Sequence, residues 1–85
     1  MKDNIAEMIR VIVTSLVDKP DKVSVSSVTG GSGNTVVFSI IADKGDLGKI
    51  IGKEGRNANA LRVLVNSVAV KSGIRAIVDI DSKFS

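Results

Sequence analysis

Apolar side chains recur along this chain with two different spacings. Ile5, Met8, Ile9, Ile12, Val13 and Leu16 follow the i, i+3, i+4 rhythm of a helix with one buried face. Asn4 followed by Glu7 fits a capping box at its start, and Pro20 prevents its continuation. From Lys22 to Thr29 the period falls to two. Val23 and Val25 share a phase, and Val28, displaced after Ser26-Ser27, predicts a strand with a bulge or early fraying. Gly30-Gly31-Ser32-Gly33-Asn34 completes neither G-x-G-x-x-G nor G-x-x-x-x-G-K-[ST], so it reads as a hairpin connection and not as a phosphate loop. Thr35 to Ala42 alternates again, with Val36, Phe38 and Ile40 on one face and Val37, Ser39 and Ile41 on the other. Apolar residues on both faces predict a central strand, or one covered on one side by a partner.

Asp43-Lys44-Gly45-Asp46 is a turn whose last residue can cap a short helix running through Ile51. Gly48 inside that helix costs about 1 kcal/mol relative to alanine. Either its bare backbone admits a ligand or a crossing helix, or it packs tightly against the sheet. From Arg56 to about Lys71 a second helix places Ala58, Leu61, Leu64, Val65 and Val68 on one face. The opposite side holds Asn59, Val63, Asn66 and Val70, with no charge among them. Gly73 closes this helix, and Ile74 to Asp81 alternates as a last strand with Ile74, Ala76, Val78 and Ile80 inward. The tail Ser82-Lys83-Phe84-Ser85 is expected to fray. The order α-β-β-α-α-β is that of an α+β layer, with helices packed on one face of a three-stranded sheet.

Composition narrows the chemistry. At 85 residues the chain is expected to form one domain, 1–85. It has no Cys, hence no disulfide framework or thiolate metal site, which suits a reducing cytoplasm. No run is long enough to span a bilayer, and Glu7 and Arg10 interrupt the apolar residues near the start, so neither a membrane nor a secretory role is expected. With no His and no Cys there is no imidazole base and no thiol nucleophile, so an enzyme is not expected, nor a metal or a cofactor. Asp43 with Asp46, and Asp79 with Asp81, are close in sequence but lack a third partner. The net charge of +3 is unevenly spread: between Lys44 and Arg75 seven basic residues face only two acids. Clustered positive charge points to a polyanion, whereas scattered Lys and Arg would be a solvated helix face.

That basic half contains the run Leu47-Gly48-Lys49-Ile50-Ile51-Gly52-Lys53-Glu54-Gly55-Arg56. It reads as helix, glycine-x-x-glycine link, helix. Glycine at both ends of a link lets another backbone approach closely, and the start of a helix favours an anion. Lys49, Lys53 and Arg56 cluster beside it. Ile51-Gly52-Lys53-Glu54-Gly55, with its apolar lead-in, resembles the (I/V)IGxxG signature of KH domains, and the element order resembles their type II, prokaryotic arrangement. The resemblance covers nearly the whole chain and is similar to the small, free-standing bacterial KH proteins of the KhpA type.

The resemblance implies a groove for single-stranded RNA between the two helices and an adjoining strand edge. Gly52, Lys53, Glu54 and Gly55 would hold the sugar-phosphate backbone, with Gly48, Lys49 and Arg56 beside them, and Ile50, Ile51 and Ala58 as the apolar positions around the loop. Two departures count against strong binding. Ala58 stands where KH domains usually carry a larger residue, and Glu54 places a negative charge where phosphate should pass. Only Phe38 and Phe84 are aromatic, so stacking platforms of other RNA-binding folds are unavailable. The resemblance also implies a cytoplasmic RNA chaperone or post-transcriptional regulator of low sequence specificity, acting as a homodimer or with a larger Jag-type KH protein. Roles in cell shape and division come with it. The Asn59, Val63, Asn66 and Val70 face is either a self-association surface or a mildly apolar solvent face. The rival function is a KH-like protein-interaction scaffold without RNA binding.

Overall fold

The computed structural model describes residues 2–31 and 33–82. Its elements run α1 (Lys2–Leu16), β1 (Ser24–Thr29), β2 (Thr35–Ala42), α2 (Leu47–Ile51), α3 (Arg56–Lys71) and β3 (Arg75–Ser82), with single 3₁₀ turns at Pro20–Lys22, Lys44–Asp46 and Lys53–Gly55. This is the expected α-β-β-α-α-β order. The sheet is β1-β2-β3, with β1 antiparallel and β3 parallel to the central β2. Parallel pairing obliges the chain between β2 and β3 to cross over, and α2 and α3 make that crossover.

All three helices contribute to one core on one face of the sheet. Ile5, Ile9 and Val13 of α1, Ile50 of α2, and Leu61, Val65 and Ala69 of α3 meet Val36, Phe38, Ile40, Ala42, Ala76 and Val78 of the sheet. Among the described residues no helix covers the other sheet face: Val28, Val37 and Ile77 form one cross-strand row there, and Ser26, Ser39 and Asp79 the next.

Several local expectations change. β1 pairs with β2 without interruption from Ser24↔Ile41 to Thr29↔Val36, so there is no bulge, and Val28 simply points to the open face. Asn4 lies inside α1, not at its cap, and the Glu7 carboxylate accepts from Arg10. That hydrogen bond holds the Glu7 carboxyl below its ordinary range. Leu16 is exposed at the end of its stripe. On α3 the buried stripe is Ala58, Leu61, Val65 and Ala69, while Leu64 and Val68 are exposed. Ser82 is not frayed; it closes β3 and is buried, and residues 83–85 lie outside the described residues.

Two connections lock the crossover. After α3, Gly73 (φ 74°) completes a Schellman motif, with the Ile74 N–H donating to the Ala69 carbonyl and the Gly73 N–H to that of Val70. Before α2, the capping assignment moves by three residues: Asp43, not Asp46, accepts from the Gly45 N–H. Asp46 is 3% exposed and turns the other way. Its carboxylate accepts from the backbone N–H groups of Asp18 (3.3 Å) and Lys19 (3.0 Å), tying the segment after α1 to the entrance of α2.

Candidate nucleic-acid interface

The link between α2 and α3 is shaped by three consecutive demands on the backbone. α2 ends when the Gly52 N–H donates to the Gly48 carbonyl (2.8 Å), and Gly52 then takes φ 78°, ψ 172°, a region closed to residues with a Cβ. Lys53–Gly55 forms one 3₁₀ turn, closed by the Gly55 N–H on the Gly52 carbonyl (3.1 Å). Glu54 (φ 57°, ψ 25°) and Gly55 (φ 76°, ψ 14°) are both left-handed, which redirects the chain into α3.

A side chain beyond the signature fixes this turn. Asn57, on the first turn of α3, donates from Nδ2 to the Lys49 carbonyl of α2 at 2.8 Å. It thereby satisfies one of the carbonyls orphaned where α2 stops, and spans the link from helix to helix. The strut leaves no room above it: a Cβ on Gly52 would stand 2.7 Å from Asn57 Cγ and 2.9 Å from its Cβ and backbone nitrogen. Asn57 was not among the residues singled out from the sequence, because its partner is a main-chain carbonyl eight residues away that no motif records.

The other expected residues fall into distinct places. Gly48 is exposed, and a Cβ there would meet nothing within 4 Å, so tight packing against the sheet does not explain it. Lys49 is turned toward the end of α1, with Nζ 3.3 Å from Asp18 Oδ2 and 3.7 Å from Asp46 Oδ1. Ile50 is 1% exposed and belongs to the core; Ala58 is also buried, under the start of α3. Ile51 is exposed beside the link. Lys53, Glu54 and Arg56 are exposed, and none of the three forms an ion pair among the described residues. The first turn of α3 contains no acidic residue and its start carries no side-chain cap; the Arg56 N–H donates to the Lys53 carbonyl, and the positive end of the helix dipole lies beside Lys53 and Arg56.

Two apolar residues assigned to the core by spacing extend this surface. Leu64 (51% exposed) and Val68 lie on the same flank of α3 as Asn57, the flank that α2 covers only near the link because α2 is five residues long. On the other flank stand Val63 and Val70, 63% and 77% exposed, with Asn59 and Asn66. The arrangement is open: the described residues enclose no pocket, and no group of three or more acidic or metal-ligating side chains comes together. Among the described residues, no helix is long and apolar enough to cross a membrane. A half-buried glycine pair flanking exposed Lys53 and Glu54, with Arg56 beside it and an apolar strip along α3, can hold a phosphodiester backbone against a floor for bases.

Residues 6–80 match the family described as KhpA/KhpB, KH domain. The chain is 43% identical over 74 residues to a protein of Chlamydia trachomatis serovar D named RNA-binding protein KhpA, covering 87% of this chain and 92% of that one. Proteins of the same name from Clostridium acetobutylicum and Aquifex aeolicus are 40% and 38% identical, with 87% of this chain covered and 96% and 91% of theirs. Among solved structures, Era in complex with MgGDPNP and nucleotides 1506–1542 of 16S ribosomal RNA shares the fold, with a TM-score of 0.56 and 22% identity. The match takes in 92% of this chain and 29% of Era, a much longer protein.

Proposed function

From the premise that this chain belongs to the KhpA/KhpB family of KH domains, a family of binding domains and not of enzymes, we propose that it binds single-stranded RNA with low sequence specificity. The observation that carries this reading is the pairing of Gly52 and Gly55 with Lys53 and Arg56, two exposed cations that form no ion pair among the described residues. The link holds the sugar-phosphate backbone. Arg56 and the start of α3 supply positive potential, and Ile51, Leu64 and Val68 offer apolar contact to bases. Ile50 and Ala58 act from beneath, keeping α2 and α3 in place, and Lys49 contributes its carbonyl to the Asn57 strut more directly than its charge to a ligand. Residues 1–85 act as a single KH domain in the cytoplasm, in RNA chaperoning or post-transcriptional control.

One small site with few contacts holds RNA weakly, and avidity is the remedy. The uncharged flank of α3 with Val63 and Val70 suits a homodimer or pairing with a larger KH protein of the Jag type. Three phosphate contacts correspond to a salt slope of about −2 on a log-log plot for a single strand. Filter binding of short single-stranded RNA at two salt concentrations tests the reading, with a variant carrying Lys53→Asp and Glu54→Asp as control. The expected result is weak binding by the native protein with that shallow slope, and loss of binding by a variant that keeps its fold. Equal binding by both would place RNA away from the link, and no binding by either would leave a protein-interaction scaffold as the better account.

A further inference from the structure

Among the described residues, five take a positive φ, and four of them are glycine; the fifth is Glu54. A residue with a Cβ is disfavoured there by contact with its own carbonyl neighbours. The turn is held by the Asn57 strut and by the Gly55 N–H on the Gly52 carbonyl, and the Glu54 side chain adds nothing to that hold. The Glu54 side chain is exposed, and it makes no hydrogen bond or ion pair among the described residues, although Lys53 and Arg56 are near it in the chain. Glycine or asparagine would fit the same backbone with less strain. The carboxylate is thus carried at a sparsely populated backbone position, exposed to solvent and without a partner among the described residues, where a role toward a ligand is the hypothesis to test.

We propose that Glu54 limits the affinity of the RNA site: a fixed negative charge in the middle of the link that weakens the grip of a single domain on any phosphate backbone. This rests on the reading of the link as the RNA site and adds a sign to one of its residues. Lys53 and Arg56 draw a polyanion in; Glu54 sets a ceiling on how tightly one link keeps it. Retention then depends on several contacts being made together, through bases or through a second domain, and isolated phosphates are not enough. A polyanion without those additional contacts is released.

Filter binding of a short oligouridylate to the native protein, Glu54→Gln, Glu54→Asp and Lys53→Gln at low and moderate salt tests this, with thermal melts of each. Removing one charge some 6 Å from a phosphate in water-like surroundings is worth about threefold in affinity. Glu54→Gln should therefore bind about threefold tighter at low salt, with the gap narrowing as salt screens the charge. It should melt with the native protein, since the backbone strain is unchanged. Glu54→Asp, which keeps the charge, should bind like the native protein, and Lys53→Gln should bind more weakly. If Lys53→Gln weakens binding while Glu54→Gln leaves it unchanged or lower, the ceiling is disproved and the RNA site stands. If neither variant alters binding, RNA is not at the link and both readings fall.

Discussion

Two stretches of this chain are rich in glycine, and the structure uses them on opposite terms. In the β1–β2 connection, Gly31 and Gly33 have open space where a Cβ would be, and only Gly33 (φ 83°) needs the left-handed region. In the α2–α3 link, Gly52 needs a glycine-only backbone and also has Asn57 against it. In the hairpin, Gly30 has a close neighbour for a Cβ (3.2 Å to the Thr35 carbonyl oxygen) and Gly33 a left-handed backbone, but neither combines the two constraints as Gly52 does. More glycines in a row is therefore the weaker signal, and a pair at fixed spacing, each with a different steric reason, is the stronger one.

Substitutions can break or sharpen that contrast. The largest effect belongs to Gly52→Ala, which meets both a forbidden backbone region and a contact of 2.7 Å to Asn57. It should lose about 2–4 kcal/mol in urea denaturation, from backbone strain and overpacking together, and RNA binding should go with it. Next comes Gly33→Ala, where the left-handed backbone alone is penalised: a loss of about 1–2 kcal/mol in the same measurement, with RNA binding of the folded protein unchanged. The smallest is Gly31→Ala, which has neither constraint. Its stability should stay within about 0.5 kcal/mol of native, or rise slightly as the unfolded chain loses freedom. If Gly31 and Gly52 proved equally sensitive, the distinction between the two stretches would be lost.

The element order and the inward phase of β3 were legible in the sequence, because strands of period two and helices of period 3.6 separate cleanly there, whereas for β2 the sequence left open whether it was central or covered by a partner. The phase of α3 was not. That helix carries apolar residues nearly all the way round, and the structure buries the narrow stripe through Ala58 and Ala69, whose small side chains allow close approach, leaving Leu64 and Val68 outside. Asp46 shows a second limit. A local rule makes it a helix cap, but its carboxylate finds better donors at Asp18 and Lys19, 28 and 27 residues away in the chain. Within the link, the glycines and cations were legible from their spacing. The left-handed backbone of Glu54 and the Asn57 strut were not, since neither strain at a residue with a Cβ nor a bond to a main-chain carbonyl leaves a mark in residue type.

The parallel pairing of β2 with β3 ties the history of the molecule to its use. The hairpin of β1 and β2 can zip from a local turn, but β3 has no seat until the whole excursion of α2 and α3 has been laid down. The last strand and the α2–α3 link are consequently completed in one event. Until then the second edge of β2 stays unpaired, a margin open to another strand.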